Sequence, residues 1–326
     1  MEYTHLALRR LSKEGDFQMG AIDTLSKEYM SDPKHFADAI NFFLFDGEQV
    51  VQASNLKELD PTEMAIVYGN DARVPVQKVR DVAKSWNSMY DSNAIYMILG
   101  IENQSEVHYA MAVKNMVYDA LNYADQVREA RKSHQGETMT GDEFLSGFTK
   151  DDKLIPVITL VVYFGSEPWD GETSLHGMFA IKDPRILKYV PDYSINLIQP
   201  AKIPDEDFPK FKTELGRVLE YIKYSKNKRE LTKRIKENEE FWRIHKDSLD
   251  LLNATTHSKL KFKEKEGRLS DMCIAMDEYG NDMMILGYIK RMQDEGSPLE
   301  KAIETASAIF GKSVEYVKEV YDELVA

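Results

Sequence analysis

The chain lacks most of what a secreted or membrane protein carries. Cys273 is its only cysteine, so no intrachain disulfide can form. No apolar run reaches the roughly 20 residues that cross a bilayer. Met1 to Asp16 is charged and holds no apolar signal core. These absences point to a reducing cytoplasm and to no membrane partner, with Cys273 a small buried hydrophobe. An excess of positive charge is also missing: 42 Lys and Arg face 55 Asp and Glu, a net charge of −13. That excludes a generic nucleic-acid coat protein. It does not exclude a nuclease, which needs only a local basic rim around its acidic centre.

What the chain does have is one informative stretch, Ala94 to Gln104. Ile and Tyr content, and the Asp91-Ser92-Asn93 turn before it, favour a strand. Alternation puts Ile95, Met97, Leu99 and Ile101 on one apolar face. The other face runs from Tyr96 and Ile98 to Glu102 and Gln104. A carboxylate beside a sheet core is costly unless it is paired or binds a metal.

Around this strand the pattern is mixed. Residues 1–18 form a polar lead-in, and a short helical pattern follows over 21–30. Asp32-Pro33 caps and opens a second helix through Phe36, Ile40 and Leu44, which Asp46-Gly47 ends. Residues 64–68 form a short strand, 74–86 a β-like segment, and 87–93 a loop. After Gln104 a helical stripe runs through Val113, Val117, Leu121 and Ala124. Leu154 to Phe164 has the near-continuous apolar character of a strand buried on both faces, and a further strand spans 193–198. This predicts a mixed α/β domain over residues 1–200. Residues 201–326 read as an all-helical region with no strand. Within it, 253–267 is a polar stretch and 283–292 a helix. Ser297-Pro298-Leu299-Glu300 starts another helix with Ser297 as cap, and Gly311-Lys312-Ser313 separates it from the last one.

Chemistry gathers at the strand's end. Glu102 and Gln104 leave the same face. Asp81 lies in the preceding β-like segment and approaches Glu102 if the two segments pair. Two carboxylates held together repel, and a hard cation such as Mg²⁺ relieves this. Such a cation lowers the pKa of a bound water and stabilises charge on a phosphate.

Four stretches stand in order along the chain: Asp32 to Gly47, Arg80-Asp81-Val82, Leu99-Gly100-Ile101-Glu102-Asn103-Gln104-Ser105 with Met111 to Asp119, and Pro156 to Gly165 with Pro168-Trp169. This ordered set resembles the Rpn group of recombination-promoting nucleases, also labelled YhgA-like transposases, within the PD-(D/E)XK superfamily. The stretches cover about residues 20–200. The resemblance implies a PD-(D/E)XK nuclease-like core flanked by helices and metal-dependent hydrolysis of DNA. In that reading Asp81, Glu102 and Gln104 are catalytic. Asp81, Glu102 and the Asn103 carbonyl hold Mg²⁺ or Mn²⁺, and Lys84 and Lys114 meet substrate phosphates. Gln104 stands where the superfamily usually has Lys; an amide orients water but brings no positive charge. The alternative is a nuclease-fold protein without catalysis that binds DNA or protein.

Plainer readings compete with each role. Glu102 can form a structural ion pair with Lys84 or Lys114, and Lys114 can be a solvated helix residue. Tyr118 and Trp169 read as packing residues. His134, His176 and His245 have no partners at metal-ligand spacing. The basic run over 223–236 is interleaved with Glu and reads as a solvated face. The last two helices resemble a helix–turn–helix, but Glu315, Glu319, Asp322 and Glu323 carry the wrong charge for a DNA groove. Packing or homo-oligomerisation through these C-terminal helices fits better.

Overall fold

A computed structural model describes residues 22–59, 62–65, 76–79, 81–90, 93–136, 138–237, 243–261, 264–265 and 269–325. The lead-in over 1–18 and the 66–68 part of the first strand lie outside them. So do the side chains of 87–100 and of Cys273. The chain divides into two compact units, one ending at Lys223 and the other beginning at Tyr224.

The first unit is built on a five-stranded sheet of order β1-β4-β5-β6-β7. Its strands are β1 (Leu56–Glu58), β4 (Val82–Tyr90), β5 (Asn93–Gln104), β6 (Val157–Tyr163) and β7 (Asn196–Ile198). A separate ribbon pairs β2 (Thr62–Ala65) with β3 (Val76–Val79). β1, β4 and β5 are antiparallel neighbours, whereas β5, β6 and β7 run parallel. The sheet is therefore mixed, as the pattern predicts. Parallel neighbours need a long crossover. Helix α3 (Met111–Ser133) supplies it between β5 and β6.

Local chemistry sets the other boundaries. Helix α1 covers residues 22–31 and is followed by α2 (Pro33–Phe45). Asp32 caps α2 by accepting the Lys34 N–H at 2.7 Å, with Pro33 in the first turn. Asp46 (φ 51°) and Gly47 (φ 85°) turn the chain out through left-handed conformations. Asn41 bonds both backbone groups of Val51, and Asp38 accepts the Lys212 and Thr213 N–H groups. β6 is buried at nearly every position, as a central strand must be. Trp169 packs edge-on to Tyr163 in the core formed with Met111, Ala112 and Val161.

Three expectations are corrected. Residues 87–90 and Asn93 are not loop: β4 continues to Tyr90, which pairs with Asn93 at the start of β5, while 91–92 lie outside the described residues. Long cross-strand pairing satisfies backbone groups that polar composition alone had assigned to solvent. The region beyond 200 is not purely helical either. The second unit holds a small sheet of β8 (Arg243–Ile244), β10 (Leu269–Asp271) and β9 (Glu264–Lys265). These strands are too short to leave a period-2 signature. Finally, Ser297 does not cap: Pro298 is the N-cap residue and the helix begins at Leu299.

In that unit, helices α4 (Met272–Asp294), α5 (Leu299–Phe310) and α6 (Val314–Val325) share a core of Ile285, Ile289, Ala302, Ile303, Ala306, Val317 and Val320. Gly311 ends α5 in the left-handed region, and Ser313 accepts the Tyr316 N–H at the start of α6. Among the described residues no helix is long and apolar enough to cross a membrane.

Candidate active site

The β4–β5 hairpin decides which groups meet. Val82 pairs with Ile101. Antiparallel register carried one residue further sets Asp81 opposite Glu102, so both acids stand at the same end of the same ribbon. Asp81 Oδ2 accepts the Asn103 N–H at 2.8 Å, which fixes the acid across the strand pair. Glu102 is fully buried. Its Oε2 lies 2.8 Å from Lys114 Nζ, in the first turn of α3. A buried carboxylate demands such compensation. Lys114 itself is about a quarter exposed (27%), so the pair opens toward solvent at the lysine. Beside it lies a pocket of about 300 Å³ lined by His108, Ala110, Val113, Lys114, Val117 and Tyr118. Tyr118 is buried, its ring centroid 5.9 Å from the Lys114 ammonium.

Burial pushes the Asp81 carboxyl above its ordinary 3.8; the Asn103 N–H and the cations Lys114 and Lys27 pull it back, and Asp23 pushes it up again. An acid whose folded pKa is raised binds its proton more tightly folded than unfolded. Stability from this group is therefore present at low pH and lost as pH rises through the folded value. Asp81→Asn should raise the melting temperature of the metal-free protein at neutral pH and flatten its dependence at acid pH. Thermal denaturation across that range checks this.

Gln104 is half-buried and folds its amide back on its own strand, Nε2 donating to the Asn103 carbonyl at 2.7 Å. The Asn103 carbonyl thus keeps a second lone pair for another partner.

Lys84 is not brought to this site. It is three residues from Asp81, so alternation sends its side chain through the other face of the strand. There its ammonium is buried, donating to the Ser31 carbonyl at 3.0 Å and to Glu58 at 3.3 Å, 5.6 Å from the Phe36 ring centroid. It is a strut between β4 and the end of α1. Lys84→Ala should cost about 2–4 kcal/mol, as other large-to-small core changes do, and Lys84→Met clearly less. Chemical denaturation measures both.

Sequence reasoning missed three residues here. Asp23 and Lys27, one turn apart on α1, both act on Asp81 electrostatically, and Asp23 accepts the Ser105 hydroxyl at 3.0 Å. Their i, i+4 spacing was the available signal, but nothing tied that helix to the strand end. The third is Asn115, fully buried in α3 with neither amide atom hydrogen-bonded. Such an orphaned amide costs about 1–3 kcal/mol and calls for an explanation.

The candidate donors are oxygens: two carboxylates and a backbone carbonyl. That set suits a hard cation such as Mg²⁺ or Mn²⁺ rather than a soft one. Asp81, Glu102 and the Asn103 carbonyl are the groups that would hold it. Among the described residues no three His, Cys, Asp or Glu side chains stand close enough to form a metal cage by themselves.

No curated protein and no solved structure gives a significant match. Residues 22–253 match the family described as "putative transposase, YhgA-like", which takes in both site strands, α1 and α3. The chain belongs to that YhgA-like transposase family.

Proposed function

We propose that this protein is a metal-dependent endonuclease of PD-(D/E)XK type that hydrolyses DNA phosphodiester bonds, in keeping with a role in recombination or mobile DNA. The observation that carries the reading is the buried Glu102 set across the hairpin from Asp81, with Lys114 on its carboxylate. Folding alone gains little from a buried ion pair. When bound, a divalent cation would acidify a water and offset charge on the scissile phosphate. Asp81 and Glu102 hold that centre, and the Asn103 N–H keeps Asp81 aimed at it. Gln104 orients the attacking water through its amide. Lys114 takes the part the missing lysine plays elsewhere: it neutralises Glu102 in the resting protein and turns to a phosphate oxygen in the complex.

A second reading is favoured by one contact, the Gln104 amide closed on the Asn103 carbonyl. In that reading the family fold binds DNA without cutting it. Supercoiled plasmid incubated with Mg²⁺, Mn²⁺ or EDTA separates the two. Metal-dependent nicking, absent with EDTA, supports the nuclease. DNA binding with no nicking under any metal supports the binding module.

A further inference from the structure

The orphaned amide of Asn115 has a place in the fold that gives it a use. Helix α3 runs back along the sheet, and its contacts set the level of each turn. Val157 N–H donates to Tyr123 Oη at 3.1 Å, and Thr159 Oγ1 donates to Asp119 at 2.6 Å. Met111 and Ala112 pack with Val161 and Tyr163. One helical turn rises about 5.4 Å, and two strand residues rise about 6.6 Å. Asn115, one turn before Asp119, is therefore level with Val161, whose neighbour on β5 is Glu102. Lys114, the adjacent residue, reaches the Glu102 carboxylate. Asn115 is on the buried, sheet-facing side of α3 with Met111, Ala112 and Asp119.

We propose that the Asn115 side-chain oxygen is a further protein donor, beside the Asn103 carbonyl, to the divalent cation that Asp81 and Glu102 would hold. This rests on the nuclease reading of the site. It accounts for two facts together. A fully buried carboxamide keeps both its polar atoms unpartnered, and no third acidic or histidine side chain among the described residues completes a cage. A neutral amide oxygen is a natural ligand for a hard cation, and it adds no charge to a centre already bearing two carboxylates.

The test is Mn²⁺ binding to the full chain, followed by titration calorimetry and by the electron paramagnetic resonance of the free ion. Asn115→Leu has the same number of side-chain heavy atoms and the same branch point, and it removes the orphaned polar group. A cooperative metal-free melting curve certifies that it folds. Its Mn²⁺ affinity should fall about tenfold or more, the scale on which ligand-shell changes act, and Asn115→Asp should restore binding. Unchanged affinity in Asn115→Leu, with binding lost in Glu102→Gln, overturns the role of Asn115 alone. Wild-type protein that binds no Mn²⁺ overturns both this assignment and the nuclease reading. Should Asn115→Leu not fold, Asn115→Asp and Asn115→Ser decide: affinity equal to wild type in both overturns the proposal.

Discussion

Glu102→Gln should lose plasmid nicking by about a hundredfold to a thousandfold while the protein stays folded. The size follows from what the carboxylate does. It is the fully buried anion of the site, and a preorganised charge of this kind is commonly worth 10²–10³ in rate when removed. Gln keeps the shape and can still accept from Lys114, so packing survives. The change removes the charge that would hold a cation. Asp81→Asn should act the same way, because its carboxylate lies across the hairpin from the same point. Rates of nicking under saturating Mg²⁺, set beside circular dichroism of each variant, check both. Activity within tenfold of wild type in either variant would falsify the assignment of these two acids.

Lys114→Met should show the second large effect, and its sign depends on metal. In the resting protein the Lys114 ammonium is 2.8 Å from a carboxylate that has no access to solvent. Removing one partner of a buried pair costs about 3–5 kcal/mol. Lys114 is partly exposed, so the cost should fall toward the lower end of that range, and some of it will be avoided by protonation of Glu102. A divalent cation that binds Glu102 replaces the missing charge. Added Mg²⁺ should therefore restore more melting temperature to Lys114→Met than it adds to wild type. Nicking should stay low even with metal, since the phosphate contact proposed for Lys114 would be lost. Melting curves with and without Mg²⁺ test the first part, and nicking tests the second. Equal stabilisation of both proteins by Mg²⁺ would mean that Lys114 and the cation do not share Glu102.

Much of this was legible in the sequence, for reasons that differ by residue. Strand β5 announced itself because a buried strand that ends in Glu-Asn-Gln has no reason to do so for packing alone. Asp32-Pro33 and Gly311 act through local backbone chemistry, so their positions could be read without any tertiary structure. The antiparallel approach of Asp81 to Glu102 was conditional on pairing, and the hairpin register runs to Val82 and Ile101, the residues next to these two acids. Lys84 was misplaced because proximity in sequence to Asp81 says nothing about which face of the strand a side chain leaves. Asn115 and Asp23 were invisible for a related reason. Their part depends on how α3 and α1 lie against the sheet, and an Asn or Asp on a helix carries no periodic signal of its own. The small sheet of the second unit escaped because two- and three-residue strands are set by tertiary pairing rather than by local pattern.

A Mn²⁺ soak of crystals of the full chain, read by anomalous scattering, puts the central claim to its most direct trial. One peak should appear at the end of the β4–β5 hairpin, within coordination distance of a carboxylate oxygen from both Asp81 and Glu102, with the Lys114 ammonium displaced from Glu102. A peak touching only one of those acids, or no peak there with Lys114 still in place on Glu102, would contradict the account.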